Sequence, residues 1–307
     1  MTNNPDGILL IDKEAGETSY TTVKRVGRIL KVKKVGHAGT LDPAATGLLI
    51  LLLGQGTKLS PYLMTRDKEY WAVMRLGIVT DTLDADGQVL QAVRVPFVDV
   101  ARLKQCAAEF VGEIEQVPPA YSALKYQGKP AYVYARRGVK IDLAKRKVTI
   151  RRLEIQAVDP PDVTLQVVCS SGTYIRSLAA DLGNRLGPGA HLKALRRLSI
   201  GPFSIAEAAS LAEGNADFLE QQLRSRIIPL KEAVKHLAEW EVDEETAKKI
   251  RNGRRIDLKE LSLSQCGQEL APGEIRLVCG EALVAIARLD PAESQDEHGL
   301  KILRVFQ

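Results

Sequence analysis

The chain has little of what builds covalent or metal frameworks. Its four cysteines, Cys106, Cys169, Cys266 and Cys279, show no CxxC spacing. That excludes a zinc ribbon and a disulfide scaffold and suits reduced thiols in a cytosolic protein. No apolar run of roughly 18 residues occurs, so no membrane span is expected. The opening MTNNPDG has no basic start followed by an apolar run, and no signal peptide is expected. No GxxxxGK[ST] loop is present, and Gly54-Gln55-Gly56 is a lone GxG, too little for a nucleotide cofactor. The Asp81–Gly87 segment fails as a calcium loop, with Thr82 at the first ligand position and Val93 where the closing glutamate belongs. It reads as a polar turn. Carboxylate pairs at glycosidase spacing are not evident.

What is present is an ordinary globular composition, 45% apolar and 26% charged over 307 residues, enough for one large domain and a small one. The net charge of +5 is uneven. Residues 231–307 hold 12 basic and 15 acidic residues, leaving 31 and 23 in residues 1–230, so the larger part carries +8 and the smaller −3. The larger part is the expected polyanion-binding body. Thr18 or Ser19 caps a predicted helix to Leu30, with Val23, Val26, Ile29 and Leu30 on one face and Lys24, Arg25, Arg28, Lys31, Lys33 and Lys34 on its far side and end. Asp67–Gly77 reads as a strand, and residues 98–110 as an amphipathic helix anchored by Val100, Leu103 and Phe110. Val148–Val158 and Val163–Cys169 alternate as hairpin strands, and the segment from Cys169 opens a helix to Leu186. Four of the eight tyrosines fall between 121 and 134, interleaved with Lys125 and Lys129 and followed by Arg136 and Arg137. Mixed aromatics and cations suit loop RNA, whose bases stack and whose phosphates pair.

The centre of the sequence is Gly36-His37-Ala38-Gly39-Thr40-Leu41-Asp42-Pro43-Ala44-Ala45-Thr46-Gly47, followed at once by the Leu/Ile run Leu48–Leu53. That run reads as a strand buried on both faces, so Asp42 sits on a loop fed by a rigid core element. On loop chemistry alone, Asp42 in a Gly/Pro turn would bond to its own backbone. The wording of the stretch closely resembles the catalytic motif of the TruB family of tRNA pseudouridine synthases. Further boxes resemble the same family in order. Asp12-Lys13-Glu14-Ala15-Gly16-Glu17-Thr18-Ser19 has Glu14 where proline is usual, and Asp67-Lys68-Glu69-Tyr70 is similar to a D-K-x-Y box. Pro118–Arg136 resembles a tRNA-clasping thumb, Cys169–Leu178 a C-S-x-G-T-Y-I-R-x-L box, and Ala190–Arg197 an A-H-x-x-x-L-R-R segment.

The resemblance implies an α+β fold: a mixed, largely antiparallel sheet of the pseudouridine synthase type with flanking helices. Residues 1–232 would be the catalytic domain, with the thumb at about 118–146. Residues 233–307 resemble, more loosely, a small RNA-binding β-barrel of the PUA type, with Lys248–Arg255 on RNA. It implies that Asp42 is the nucleophile, that Arg176 pairs with it and that Tyr70 lies beside the base. His37, Tyr174, Leu195 and Lys13 are expected at the bound nucleotide, and Lys125, Arg136, Arg137, Arg196 and Arg197 on RNA, the last two on phosphates. The partner is a tRNA TΨC stem-loop, modified at uridine 55. No cofactor, metal, guide RNA or protein partner is expected, and the protein should be a cytoplasmic monomer. An arginine beside Asp42 should reverse the tendency of a buried acid to hold its proton. Attack at C6 of the base and at C1′ of the ribose both stay open. So do two other readings: a non-catalytic RNA-binding or tRNA-folding protein, and a guide-dependent ribosomal RNA synthase.

Overall fold

The computed structural model describes residues 5–212, 215–254, 256, 273–289 and 300–307. Gly7–Lys13 and Thr46–Leu53 are almost entirely buried and pair antiparallel from Gly7 against Leu53 to Lys13 against Gly47. The unbroken apolar run predicted this, because each face of the pair is covered by a different layer. Leu9, Ile11, Leu49, Leu51 and Leu53 meet Val23, Val26 and Leu30 of the Ser19–Leu30 helix. Ile8, Leu10, Leu48, Ile50 and Leu52 face the other way, onto Tyr62, Leu63 and residues of the C-terminal sheet. Thr18 caps that helix by accepting from the Thr21 amide, and Lys31 closes it in the left-handed region at φ 58°.

In the large sheet, Ala209–Ser210, Gly7–Lys13, Thr46–Leu53, Ala190–Ile200, Lys68–Leu76, Asp162–Cys169, Arg146–Asp159 and Gly112–Gln116 lie side by side in that order. Most neighbours are antiparallel. Thr46–Leu53 meets Ala190–Ile200 in parallel through only Thr46–Arg196 and Gly47–Arg197. This is the mixed, largely antiparallel sheet expected. The predicted hairpin is Arg146–Asp159 with Asp162–Cys169. A third core cluster joins the 68–76 and 162–169 strands to the helices Val100–Glu109 and Ile175–Leu186.

Two local expectations change. Val100 is exposed; the first helix of that pair is anchored by Leu103, Cys106 and Ala107, which recur at helical spacing. The second begins at Ile175 rather than near Cys169, because residues 170–174 form the loop that reaches the cleft. In the C-terminal part, Ala238–Glu241, Gly273–Cys279, Ala282–Leu289 and Leu300–Val305 form a separate four-stranded sheet. Cys266, and Arg255 of the basic cluster, lie outside the described residues. Cys106 and Cys169 are buried free thiols, and Cys279 is free and half-buried. Among the described residues no helix is long and apolar enough to cross a membrane.

Candidate active site

The loop from Ala38 to Ala45 runs between the short Val35–His37 strand and Thr46–Leu53, and its backbone is clamped from three elements. Ser19, at the start of the first helix, donates its hydroxyl to the Leu41 carbonyl at 3.1 Å and accepts from the Leu41 amide at 2.9 Å. The Lys13 ammonium donates to the carbonyls of Glu14, Glu17 and Pro43 at 2.8, 2.7 and 3.2 Å. Arg197 donates to Leu48, Thr40 and Gly39 at 2.7, 3.3 and 3.1 Å. Lys13 and Arg197 are each 1% exposed. Two residues expected at the RNA are placed in the interior. Arg197, expected on phosphates, and Lys13, expected at the nucleotide, are both inside, bonded to backbone carbonyls, and Arg197 also meets the Tyr70 hydroxyl at the cleft wall. Both hold the loop, through the Pro43, Thr40 and Gly39 carbonyls.

Held in this way, Asp42 presents Oδ2 to Arg176 Nε at 3.0 Å. The arginine side chain is 6% exposed and the aspartate side chain 41%, so the carboxylate is bound on one side and open on the other. Arg176 Nη1 also meets Asp84 Oδ2 at 3.2 Å and the Thr82 carbonyl at 3.2 Å, while Nη2 donates to the Tyr121 carbonyl at 2.9 Å. The guanidinium thus ties together the loop, the polar turn and the foot of the tyrosine-rich segment. Burial raises the Asp42 carboxyl above its usual range; Arg176 and then Lys13 pull it down, and Asp84 and Asp86 push it up. Arg176 offsets part of the effect of burial without reversing it, because burial is the largest influence on this carboxyl.

A cleft of about 270 Å³ opens over this carboxylate. Tyr70, 7% exposed, and Leu195 form part of its wall, as do Tyr174 and Arg176. Burial, first, raises the Tyr70 hydroxyl, with Arg197 acting against it, so the phenol keeps its proton. Tyr174 is fixed through its backbone: Gln116 accepts from its amide at 2.7 Å and donates to its carbonyl at 3.0 Å. His37 stands apart from the cleft wall. It is a half-buried strand residue paired with Leu51, and burial, followed by Arg197, lowers its pKa and keeps the ring neutral. Among the described residues no cluster of His, Cys, Asp and Glu is arranged to hold a metal.

Comparison with known proteins agrees along the chain. Residues 27–175 match the model of the TruB family pseudouridylate synthase N-terminal domain, and residues 176–235 that of the tRNA pseudouridylate synthase B C-terminal domain. The chain is 43% identical over 312 aligned residues to tRNA pseudouridine synthase B of Syntrophus aciditrophicus, covering 98% of each protein. The chain belongs to the TruB family. It is also 47% identical to the enzyme of the same name from Aromatoleum aromaticum, over 81% of this chain and 80% of that one. Among solved structures it resembles a chain of a Cbf5-Nop10-Gar1 complex with TM-score 0.75 and 26% identity, covering 98% of this chain and 85% of that one.

On this TruB chain the tyrosine-rich segment is a small hairpin-and-helix unit. Lys125–Tyr126 and Lys129–Pro130 pair as a minimal hairpin before the helix Ala131–Ala135. Tyr126 and Tyr134 pack edge to face at 5.5 Å, and the Arg136 guanidinium lies 5.4 Å over the Tyr132 ring. Lys125, Arg136 and Arg137 are exposed. Arg196 is partly exposed but forks onto Asp12 at 3.0 and 2.6 Å. Four residues at or beside the cleft were not among the site residues expected from sequence. Asp84 is carried to the site by its bridge to Leu192. Ser122 has a buried hydroxyl without a partner. The other two are Gln116 and Lys68. Asp84 lies in the polar turn and Lys68 in the D-K-x-Y box, whereas Gln116 and Ser122 carry no signal that sets them apart.

Proposed function

We propose that this protein isomerises uridine 55 in the TΨC loop of tRNA to pseudouridine, as a cytoplasmic enzyme that needs no guide RNA. The observation that carries the reading is the carboxylate of Asp42, ion-paired to Arg176 at 3.0 Å yet open to a cleft walled by Tyr70 and Leu195. The names of the relatives at 43% and 47% identity support tRNA as the substrate.

In this reaction the N-glycosidic bond breaks, the base turns, a bond forms between C5 and C1′, the C5 proton is lost and N1 takes one up. Nothing is oxidised. The uridine swings out of the RNA loop into the cleft. Asp42 is the nucleophile, at C6 of the base or C1′ of the ribose. Arg176 aims it and offsets part of the burial penalty on its charge. Tyr70 and Leu195 enclose the base, Tyr174 borders it, and His37 packs behind the nucleophile loop. Lys125, Arg136 and Arg137 on the thumb bind the RNA arm, with Arg196 at the rim. Residues 1–232 serve as the catalytic domain and 233–307 as a PUA-like RNA-binding domain, in which Lys248 and Arg254 are exposed. The protein acts as a monomer.

The likeness to a chain from a Cbf5-Nop10-Gar1 complex favours, as a second reading, action within a larger assembly. An unmodified TΨC stem-loop transcript, with metal chelated and no other component added, separates the two. Pseudouridine formed by wild type and none by Asp42→Asn supports the stand-alone enzyme. Product only after a guide RNA is supplied supports the assembly. Tight binding without product under either condition contradicts catalysis.

A further inference from the structure

Lys68 stands in the cleft wall with Tyr70 and is 7% exposed. Its ammonium donates to the carbonyls of Met64 at 2.7 Å and Arg66 at 2.5 Å. An ammonium has three protons, and among the described residues nothing accepts the third. The charged and titratable groups around it are the Arg197 guanidinium from the Ala190–Ile200 strand, the Cys169 thiol from the Asp162–Cys169 strand, and Asp67 beside it in sequence. No carboxylate among the described residues pairs with it. A buried cation with a cationic neighbour and only carbonyl partners is costly to maintain. Burial, and then Arg197, bring its pKa down to about 8.

The proposed reaction places negative charge on the pyrimidine. If the C1′–N1 bond breaks first, its electron pair leaves with the base and spreads over O2 and O4. If Asp42 adds to C6, the C5–C6 double-bond pair moves onto O4 as an enolate. On either route a carbonyl oxygen becomes anionic, and a preorganised donor aimed at that charge lowers the barrier. The other cations at the site are committed. Arg176 binds Asp42, Asp84 and two carbonyls, and Lys13 and Arg197 bind three carbonyls each.

We propose that Lys68 is a catalytic residue whose spare N–H binds a carbonyl oxygen of the flipped pyrimidine and stabilises the charge that develops there. This rests on the reaction proposed above. Wild type, Lys68→Met and Lys68→Arg are compared on one stem-loop by single-turnover rate across pH, with RNA affinity and thermal stability measured separately. Lys68→Met should bind RNA within about threefold of wild type while isomerising roughly 10²–10³-fold more slowly. The wild-type rate should fall above pH of about 8, as the ammonium loses its proton. Lys68→Arg, which keeps the Met64 and Arg66 carbonyls partnered and stays charged, should recover part of the rate and lose that fall. A Lys68→Met rate within twofold or so of wild type would overturn the proposal. So would an alkaline fall unchanged in Lys68→Arg, or a loss in Lys68→Met accounted for wholly by weaker RNA binding or unfolding at the assay temperature. Absence of pseudouridine with wild type overturns the reaction itself; an active wild type matched by Lys68→Met overturns only the role of Lys68.

Discussion

Asp42 is held ready at some cost to the fold. Its folded pKa lies above the unfolded value, so ionising it in the folded protein is unfavourable. That penalty is present above the folded pKa and disappears as pH falls below the unfolded one. Asp42→Asn removes it at neutral pH and leaves Arg176 paired with Asp84. The variant should therefore lose roughly 10⁴-fold or more in rate while melting no lower than wild type. A melting temperature clearly below wild type, by calorimetry at neutral pH, would make Asp42 a structural partner. Arg176→Lys keeps a cation but not the fork that joins Asp42 to Asp84 and two carbonyls. With less to oppose burial, the Asp42 carboxyl should rise further. The acid limb of the rate profile should then move to higher pH; an unmoved limb would disconnect Arg176 from the Asp42 charge. Residue types were legible in sequence here, and partners were not. Lys13 and Arg197 carry the same letters as RNA-binding cations, and only the folded backbone shows that each is surrounded by carbonyls.

The elements were legible for a different reason. The run Leu48–Leu53, the alternation around Val163–Cys169 and the Thr18 cap are local patterns that survive folding unchanged. The meeting of Thr46–Leu53 with Ala190–Ile200 is not local: two residue pairs, far apart in sequence, join the two halves of the sheet beside the Ala38–Ala45 loop. Gly47 makes that approach possible. Its φ is +102°, and a Cβ there would lie 2.3 Å from the Arg197 carbonyl oxygen. Gly47→Ala should cost about 1–3 kcal/mol from the backbone conformation alone, and more from the clash. Because the clash falls on Arg197, rate should fall beyond what unfolding explains; chemical denaturation with parallel assays of the folded fraction would show it. The thumb follows opposite rules. Its cations face outward, so Arg136→Ala with Arg137→Ala should weaken RNA binding and leave the saturated rate near wild type. The slope of log affinity against log salt should shrink by about 1.5–2, as expected for two lost phosphate contacts. An unchanged slope would place both arginines off the RNA.

Across the whole molecule, the acidic C-terminal part looks separable by charge, yet the fold joins it to the catalytic body. Phe306, Val278, Leu283 and Ile286 share one core cluster with Ile8, Leu48 and Ile50, the layer beneath the main sheet. The chain end is also fastened by polar contacts. Lys58 donates to the Val305 carbonyl at 2.7 Å, and Gln55 accepts from the Gln307 amide at 2.9 Å and donates to its carbonyl at 2.5 Å. Charge composition reports a surface, whereas this junction is apolar and internal, and composition could not reveal it. Phe306 is almost wholly buried at the junction and is a direct probe of it. Phe306→Ala removes its packing and opens a cavity, a change of about 3–5 kcal/mol when such a site cannot collapse. If the two parts unfold together, the variant should show one transition shifted down, with heat-resistant activity lost over the same range. If they unfold separately, the catalytic body should keep its wild-type midpoint while only a smaller transition moves. Scanning calorimetry alongside residual-activity measurements distinguishes these outcomes, and the shared apolar layer predicts the first.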